Sequence, residues 1–290
     1  MAQGPVFRPS RSYRIFQALN SIFMLALLLT MLVPFVNTLA LSFSTPRNSM
    51  QPGIVLWPDP FSLSGYEVLF KQIDIWRPLL NNTYVAVVGT LLHVMLSAIT
   101  AYALVRRPFP GRRIFVFLLL VTMMIPMENI MIPIYVVYKD LGLLNTLNAI
   151  VVSGAVSGFS VLLLKNFFEG IPVELAESAE IDGATDLRVF AQIFLPLSLA
   201  GLATVTLFQF VSKWNNFFEA VLFLSDTSKY TLQIALKSLI INSDITSTTD
   251  AVVKNTQMAG VVVSVLPLII LYPFLQRFFT SGITLGAVKE

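Results

Sequence analysis

Few side chains in this 290-residue sequence are equipped to do chemistry, and they fall in three places. The first is an acidic run in which Glu169, Glu174, Glu177, Glu180, Asp182 and Asp186 are set against only Lys165 and Arg188. The second is Lys213-Trp214-Asn215-Asn216 with Glu219, a flat aromatic ring beside two amides and a charge pair. Stacking combined with amide hydrogen bonds is how sugars are commonly held. The plain alternative is packing between subunits, with Lys213 and Glu219 reaching outward. The third is a pair of isolated ionisable groups in apolar surroundings, His93 and Glu128. His93 either faces a polar pathway or makes a hydrogen bond between helices. Glu128 stands between Pro126 and Pro133, where broken helix geometry frees amides and carbonyls, so a hinge role and contact with a substrate are both open.

Much chemistry is excluded. There is no cysteine, which removes thiol catalysis, Cys-ligated zinc and iron–sulfur clusters, and one histidine cannot make a polyhistidine metal site. No Gly-x-x-x-x-Gly-Lys-Ser/Thr loop is present to cradle nucleotide phosphates, so neither a catalytic constellation nor a cofactor site is expected in this chain. The net charge of +3 calls for no nucleic acid, because the arginines stand where membrane topology would put them.

The elements that position these residues must be membrane helices. Apolar residues make up 56% of the chain and charged ones 12%, with a mean hydropathy of +0.76, whereas soluble domains carry about 25% charged residues. A bilayer core about 30 Å thick needs roughly 20 apolar helical residues. Uncharged or nearly uncharged runs predict spans near 17–42, 78–105, 114–138, 141–164, from Pro196 to about Leu224, and 255–276. The first run is too long for a signal peptide and reads as an uncleaved span. Continuous apolar runs of this length do not suit a β-barrel, whose strands alternate over about 10 residues. The fold class expected is an all-α, multi-pass membrane domain of six helices, 1–290.

Arg8, Arg11 and Arg14 precede the first span, and Arg106, Arg107, Arg112 and Arg113 crowd the turn after the second. Lys and Arg in short flanks set orientation, so both termini (1–16 and 280–290) and the Arg-rich turn are expected in the cytoplasm. Loops 44–77 and 225–254 then face outward. Gly154 and Gly158 form a small-x-x-x-small pair, a signal for close helix contact.

The cytoplasmic segment 165–195 is longer than a turn requires. Pro172 suits the first turn of a helix with acids following it, Gly183 suits a left-handed stop, and Thr185 can cap a second helix. Leu187, Phe190, Ile193 and Phe194 then form one apolar stripe, and Pro196 breaks the helix and opens the fifth span. The expectation is a helix–glycine corner–helix with an acidic face. Either it is a solvated connector, or its apolar stripe, left without a partner in water, docks another protein.

Glu177-Ser178-Ala179, Asp182-Gly183-Ala184-Thr185 and Ile193-Phe194-Leu195-Pro196-Leu197 resemble the EAA loop of binding-protein-dependent ABC importer permeases. Three residues separate Ala179 from Gly183 and nine separate Gly183 from Ile193, the family's spacing; Ser178 departs from its second Ala. Ile132-Pro133-Ile134-Tyr135 with Leu141–Thr146, Trp214-Asn215-Asn216-Phe217, and Gln276–Phe279 with Gly286–Lys289 are similar to segments of the maltose-type carbohydrate permeases. The opening, from Arg14-Ile15-Phe16 to Leu41-Ser42-Phe43-Ser44, looks most like a subgroup serving complex oligosaccharides, including acidic polysaccharides such as alginate.

The resemblance implies a type I importer half in the bacterial cytoplasmic membrane, itself non-catalytic. It would work with a second permease subunit, two ATPase subunits that bind ATP and Mg, an external solute-binding protein and a carbohydrate. Glu177, Ser178, Ala179, Asp182, Gly183, Ala184 and Phe190 would couple to the ATPase, and loop 225–254 would reach the binding protein. Trp214, Asn215, Asn216, Glu219, Glu128 and His93 are the candidates for the substrate path. Competing readings are an ion-gradient-driven secondary transporter, an anchoring protein that recruits a cytoplasmic partner through the same loop, and an ABC permease for a non-sugar solute. Against the first, the six spans show no obvious inverted repeat and no buried relay.

Overall fold

The computed structural model describes residues 10–71, 74–106, 108–245 and 253–287. Its elements, among the described residues, are helices joined by turns, with a lone antiparallel bridge between Ser44 and Phe61. The chain forms two units, one of residues 1–73 and 239–263, the other of 74–238 and 264–290.

In the first unit α1 (Arg11–Ser42) is the long apolar run, started by the Ser10 hydroxyl accepting from the Tyr13 amide at 3.3 Å. Its apolar side chains from Ile15 to Phe35 are largely exposed, and only Ala40, Leu41 and Ser42 at its end are buried. After α2 (Pro46–Ser49), the chain returns to the end of α1 before α3 (Ser64–Lys71). Asn255 ties this end together, donating to the Ser44 carbonyl at 3.0 Å and to Ser64 Oγ at 3.1 Å. A Cβ on Gly65 would sit 2.9 Å from the Asn255 carbonyl oxygen, so only glycine permits the approach.

The second unit is built on α4 (Trp76–Arg106). One face of α4, from Asn82 through Ala86, Gly89, His93 and Ser97 to Ala101, is small or polar and buried at helical spacing. Small residues let helices approach closely where lipid offers no hydrophobic drive. The third expected span is two helices, α5 (Arg112–Met124) and α6 (Met127–Asp140), interrupted at Ile125-Pro126. The fourth is also interrupted, which corrects the continuous 141–164 reading. A turn at 141–146 leads to α7 (Leu147–Val152), and a break at 153–157 precedes α8 (Gly158–Glu169). Gly154 takes φ +61° in that break, a conformation glycine adopts freely. The glycine pair divides accordingly. Gly158 makes the close contact, with the Leu119 carbonyl where a Cβ would go, while Gly154 meets nothing there.

Then follow α9 (Val173–Ile181), α10 (Asp186–Val189), a π turn at Phe190–Phe194, α11 (Leu195–Leu197), α12 (Leu199–Trp214) and α13 (Phe218–Phe223). Past a short 3₁₀ turn come α14 (Leu232–Ile245) and α15 (Lys254–Ala287), the latter running unbroken through most of the segment read as a tail. Three helices (α1, α4 and the first part of α15) are long and apolar enough to cross a bilayer, and the bent pairs α5–α6 and α10–α12 bring that to five among the described residues. Apolar clusters sit at both ends of α4, one around Ala98, Leu104, Phe168 and Phe194, the other around Val85, Ile150 and Phe223.

Candidate functional site

The acidic run folds into the expected corner. Gly183 takes φ +82° directly after α9, the Ala184 amide donates to the Ala179 carbonyl at 2.9 Å, and the Gly183 amide donates to that of Glu180 at 3.0 Å. This paired closure satisfies carbonyls that a helix end otherwise leaves open. The Thr185 hydroxyl then accepts from the Arg188 amide at 3.4 Å and starts α10. Glu177, Ser178, Asp182 and Gly183 are exposed, whereas Ala179, Ala184 and Phe190 are partly buried against the Phe168–Phe194 cluster.

Arg106, the last residue of α4, holds the corner with ion pairs to Glu180 and, at 3.8 Å, to Asp186. Tyr102 one turn earlier donates its hydroxyl to the Asp186 carbonyl at 3.2 Å. Lys165 and Arg112 both meet Glu169, at 2.7 and 3.3 Å. Half of the expected acidic face is therefore neutralised from within, and the exposed carboxylates of Glu174, Glu177 and Asp182 make up the rest.

The expectation of an unpartnered apolar stripe is corrected. Phe194 is buried and Phe190 half-buried, their rings 4.9 and 5.1 Å from that of Tyr102, and Phe168 stands edge-on to Phe194 at 5.4 Å. Phe190, Ile193 and Phe194 of the stripe are covered by the chain's own α4 and α8, and Leu187 is not. What remains bare is the tip, where Ile181 (86% exposed) and Leu187 (74%) flank Gly183.

Pro196 does not break the helix either. The Leu195 amide reaches back to the Phe190 carbonyl in a π turn, which makes room just ahead of a ring that would clash in a regular helix. The direction changes two residues later, at buried Ser198, where Asp186–Leu197 and Leu199–Trp214 meet at 81°.

Beyond the corner, the polar residues of the spans gather at the break in the fourth span. Lys213 is 3% exposed, and its ammonium donates to the Ile150 carbonyl at 2.6 Å and to that of Ser153. It thereby caps α7, whose last carbonyls have no intrahelical donor. His93 Nδ1 lies 2.7 Å from the Gly154 carbonyl oxygen and Nε2 lies 2.7 Å from Ser160 Oγ. Both imidazole nitrogens are engaged inside the chain, the helix-to-helix alternative of the two read from sequence.

The Trp-Asn group is placed differently from expectation. Lys213 and Glu219 do not reach outward; both are buried. Trp214 is 1% exposed, stacked on Phe210 at 5.8 Å and donating its indole N–H to the Ser264 carbonyl at 2.9 Å. Its own carbonyl, at the end of α12, accepts from Asn82 at 3.2 Å and Gln233 at 3.3 Å. Asn216 donates to Glu219 at 2.7 Å, and Asn215 is exposed. The side chain of Glu128 lies outside the described residues.

Asn145 was not singled out from sequence. It takes φ +57°, its side-chain oxygen accepts from the Ser225 and Asp226 amides at 3.2 and 3.0 Å, and its carbonyl accepts from Lys229 at 2.9 Å. It joins the turn at 141–146 to the segment after α13. The signal available was Gly-Leu-Leu-Asn, a turn with an asparagine, a residue tolerant of left-handed backbone.

The comparisons agree with this architecture. The family model described as "Binding-protein-dependent transport system inner membrane component" matches residues 93–285. The chain is 37% identical to the polygalacturonan/rhamnogalacturonan transport system permease protein YtcP of Bacillus subtilis (strain 168), over 95% of this chain and 99% of that one. It is 32% identical to the arabinooligosaccharides transport system permease protein AraQ of Halalkalibacterium halodurans, over 88% and 90%. Among solved structures, a chain of a bacterial ABC transporter involved in the import of the acidic polysaccharide alginate superposes with a TM-score of 0.85 at 30% identity, covering 95% of this chain and 100% of that one. A helical corner closed by Gly183, carried on membrane helices and matched along its length by permeases, identifies this chain as a member of the binding-protein-dependent transport system inner membrane component family.

Proposed function

We propose that this chain forms half of the translocation pathway of an ATP-driven importer for oligosaccharides or fragments of polysaccharides. The observation that carries the reading is the corner at Gly183: a turn closed by backbone hydrogen bonds from Gly183 and Ala184, braced on Arg106, with apolar Ile181 and Leu187 bare at its tip. An isolated connector has no use for such a tip, whereas a cleft in a partner would bury it. The relatives named for polygalacturonan, arabinooligosaccharides and alginate support the carbohydrate class.

In this reading the chain crosses the membrane six times, the interrupted α7–α8 segment counting as the fourth crossing. Both termini and the corner at 165–195 lie in the cytoplasm, and 225–254 faces the binding protein. The pairing of Arg106 with Glu180 and Asp186 supports that side, because it puts the corner at the Arg-rich end of α4. Glu177, Ser178, Ala179, Asp182, Gly183 and Ala184 shape the surface that meets the ATPase, with Phe190 anchoring it from behind. ATP and Mg belong to that partner, which closes on nucleotide and moves the corner, biasing the pathway between inward and outward states. Of the path candidates whose side chains are described, Asn215 is the exposed one, while Trp214, Asn216, Glu219 and His93 shape the wall behind it.

The test is purification of the chain from membranes in mild detergent with its co-purifying subunits, followed by ATPase assay with sugar-loaded binding protein. Recovery of an ATPase and a second permease, with hydrolysis stimulated by the loaded binding protein, is the expected result. A lone, ATP-indifferent chain that transports on an ion gradient would sink the reading.

A further inference from the structure

The loop between α1 and α3 leaves and returns at one point. Ser44 bridges Phe61, and the Ser62 amide donates to the Phe43 carbonyl at 2.7 Å. Between these ends the chain does not extend away from α1. The Val55 amide donates to Asn37 Oδ1 at 2.8 Å, and Asn37 lies five residues before the end of α1. At 1.5 Å per residue the middle of the loop has therefore folded back about 8 Å along the helix.

What it carries to that depth is apolar. Ile54 is 68% exposed, Leu56 54% and Trp57 82%, and at the same height α1 itself exposes Phe35 and Leu39. The loop's charged side chains are Arg47, in α2, and Asp59, whose carbonyl accepts from the Asn48 amide; neither lies within 53–58. Apolar side chains next to a span, charges at its end, and an indole between them match the gradient from acyl chains to headgroups, where tryptophan is enriched. At that depth the Val55 amide is satisfied by the Asn37 side chain.

We infer that residues 53–58 form a bilayer anchor, inserting Ile54, Leu56 and Trp57 into the headgroup–acyl boundary beside the end of α1. The inference rests on the reading of α1 as a membrane span. The assembled complex, reconstituted in phosphatidylcholine–phosphatidylglycerol vesicles containing brominated acyl chains, would be compared with a complex carrying Trp57→Phe; the difference isolates Trp57 emission, and transport is measured in the same vesicles. The expected result is roughly twofold quenching of the Trp57 signal by bromine near the carbonyl end of the chains, with shielding from aqueous acrylamide. Quenching by acrylamide and not by bromolipid would place the loop in water and overturn the anchor. Resistance to both quenchers would show another protein covering the loop and overturn it equally. Bromolipid quenching in vesicles that do not transport would uphold the anchor while counting against the importer.

Discussion

Lys213 Nζ donates to the carbonyl oxygen of Ile150 at 2.6 Å, joining the end of α12 to the end of α7 across the unit. The Lys213 stem runs over Gly89, where a Cβ would stand 3.4 Å from Cε. A buried ammonium is costly unless fully paired, and here two open carbonyls and nearby Glu219 supply the pairing.

Lys213→Met keeps most of the stem and removes the donor. Leaving the Ile150 and Ser153 carbonyls without it should cost about 2 kcal/mol, and Lys213→Ala about 1 kcal/mol more for the lost stem. Thermal unfolding of the detergent-purified complex reads both, and unchanged midpoints would show that α7 is capped some other way.

At Gly183 the demand is on the backbone alone, since φ is +82° and nothing lies within 4 Å of an added Cβ. Gly183→Val should strain the corner by about 1–2 kcal/mol, whereas Gly183→Asn, tolerant of this conformation, should be milder. Gly183→Pro cannot adopt the angle at all. The expected order of transport per ATP hydrolysed is native, Asn, Val, Pro, with membrane insertion unchanged. Equal coupling in all four would remove the corner from the mechanism.

Ile181 and Leu187 are bare in the chain, so Ile181→Ser and Leu187→Ser should leave its own stability untouched. If an ATPase cleft buries them, each change should weaken association by about tenfold or more. Titration of the purified ATPase against the permease pair in nanodiscs measures this. Native affinity in both variants would mean the partner docks elsewhere.

Arg106 links α4 to both sides of the corner. Arg106→Ala should loosen the corner and lower coupling several-fold while sparing insertion. Glu180→Arg combined with Arg106→Glu should recover part of it by restoring the pair. A double variant no better than the singles would assign the effect to packing rather than charge.

Asp226 supplies a pH dependence. The Ser228 hydroxyl and amide hold its carboxyl below the usual carboxylate range, with Lys229 adding to the effect. A carboxyl with a depressed folded value stabilises the fold fully above its unfolded value near 3.8 and loses that contribution as pH falls through the folded one. Asp226→Ala should thus lower stability at neutral pH and flatten the acid limb of the stability profile. Parallel limbs in the two proteins would show that Asp226 takes no part.

The corner was legible because its rules are local. Gly183 needs a left-handed angle, Thr185 offers a cap, and both lie within a few residues of the carbonyls and amides they serve. The breaks were harder. Gly154 and Gly158 share a spacing that suggests one packing face, yet one closes against α5 and the other turns the chain. Local spacing does not reveal which helix will arrive opposite.

The sequence by itself determined the membrane class, the outer bounds of α1 and α4, the Arg-rich flank and the glycine corner, because hydropathy runs and capping chemistry act along the chain. Tertiary structure alone decided where the buried polar groups point. Lys213 meets Ile150 across 63 residues, His93 meets Ser160 across 67, and the stripe of Phe190 and Phe194 closes on Tyr102. A polar group in an apolar medium takes whichever partner the packing brings within reach, and that partner is set by how the helices cross.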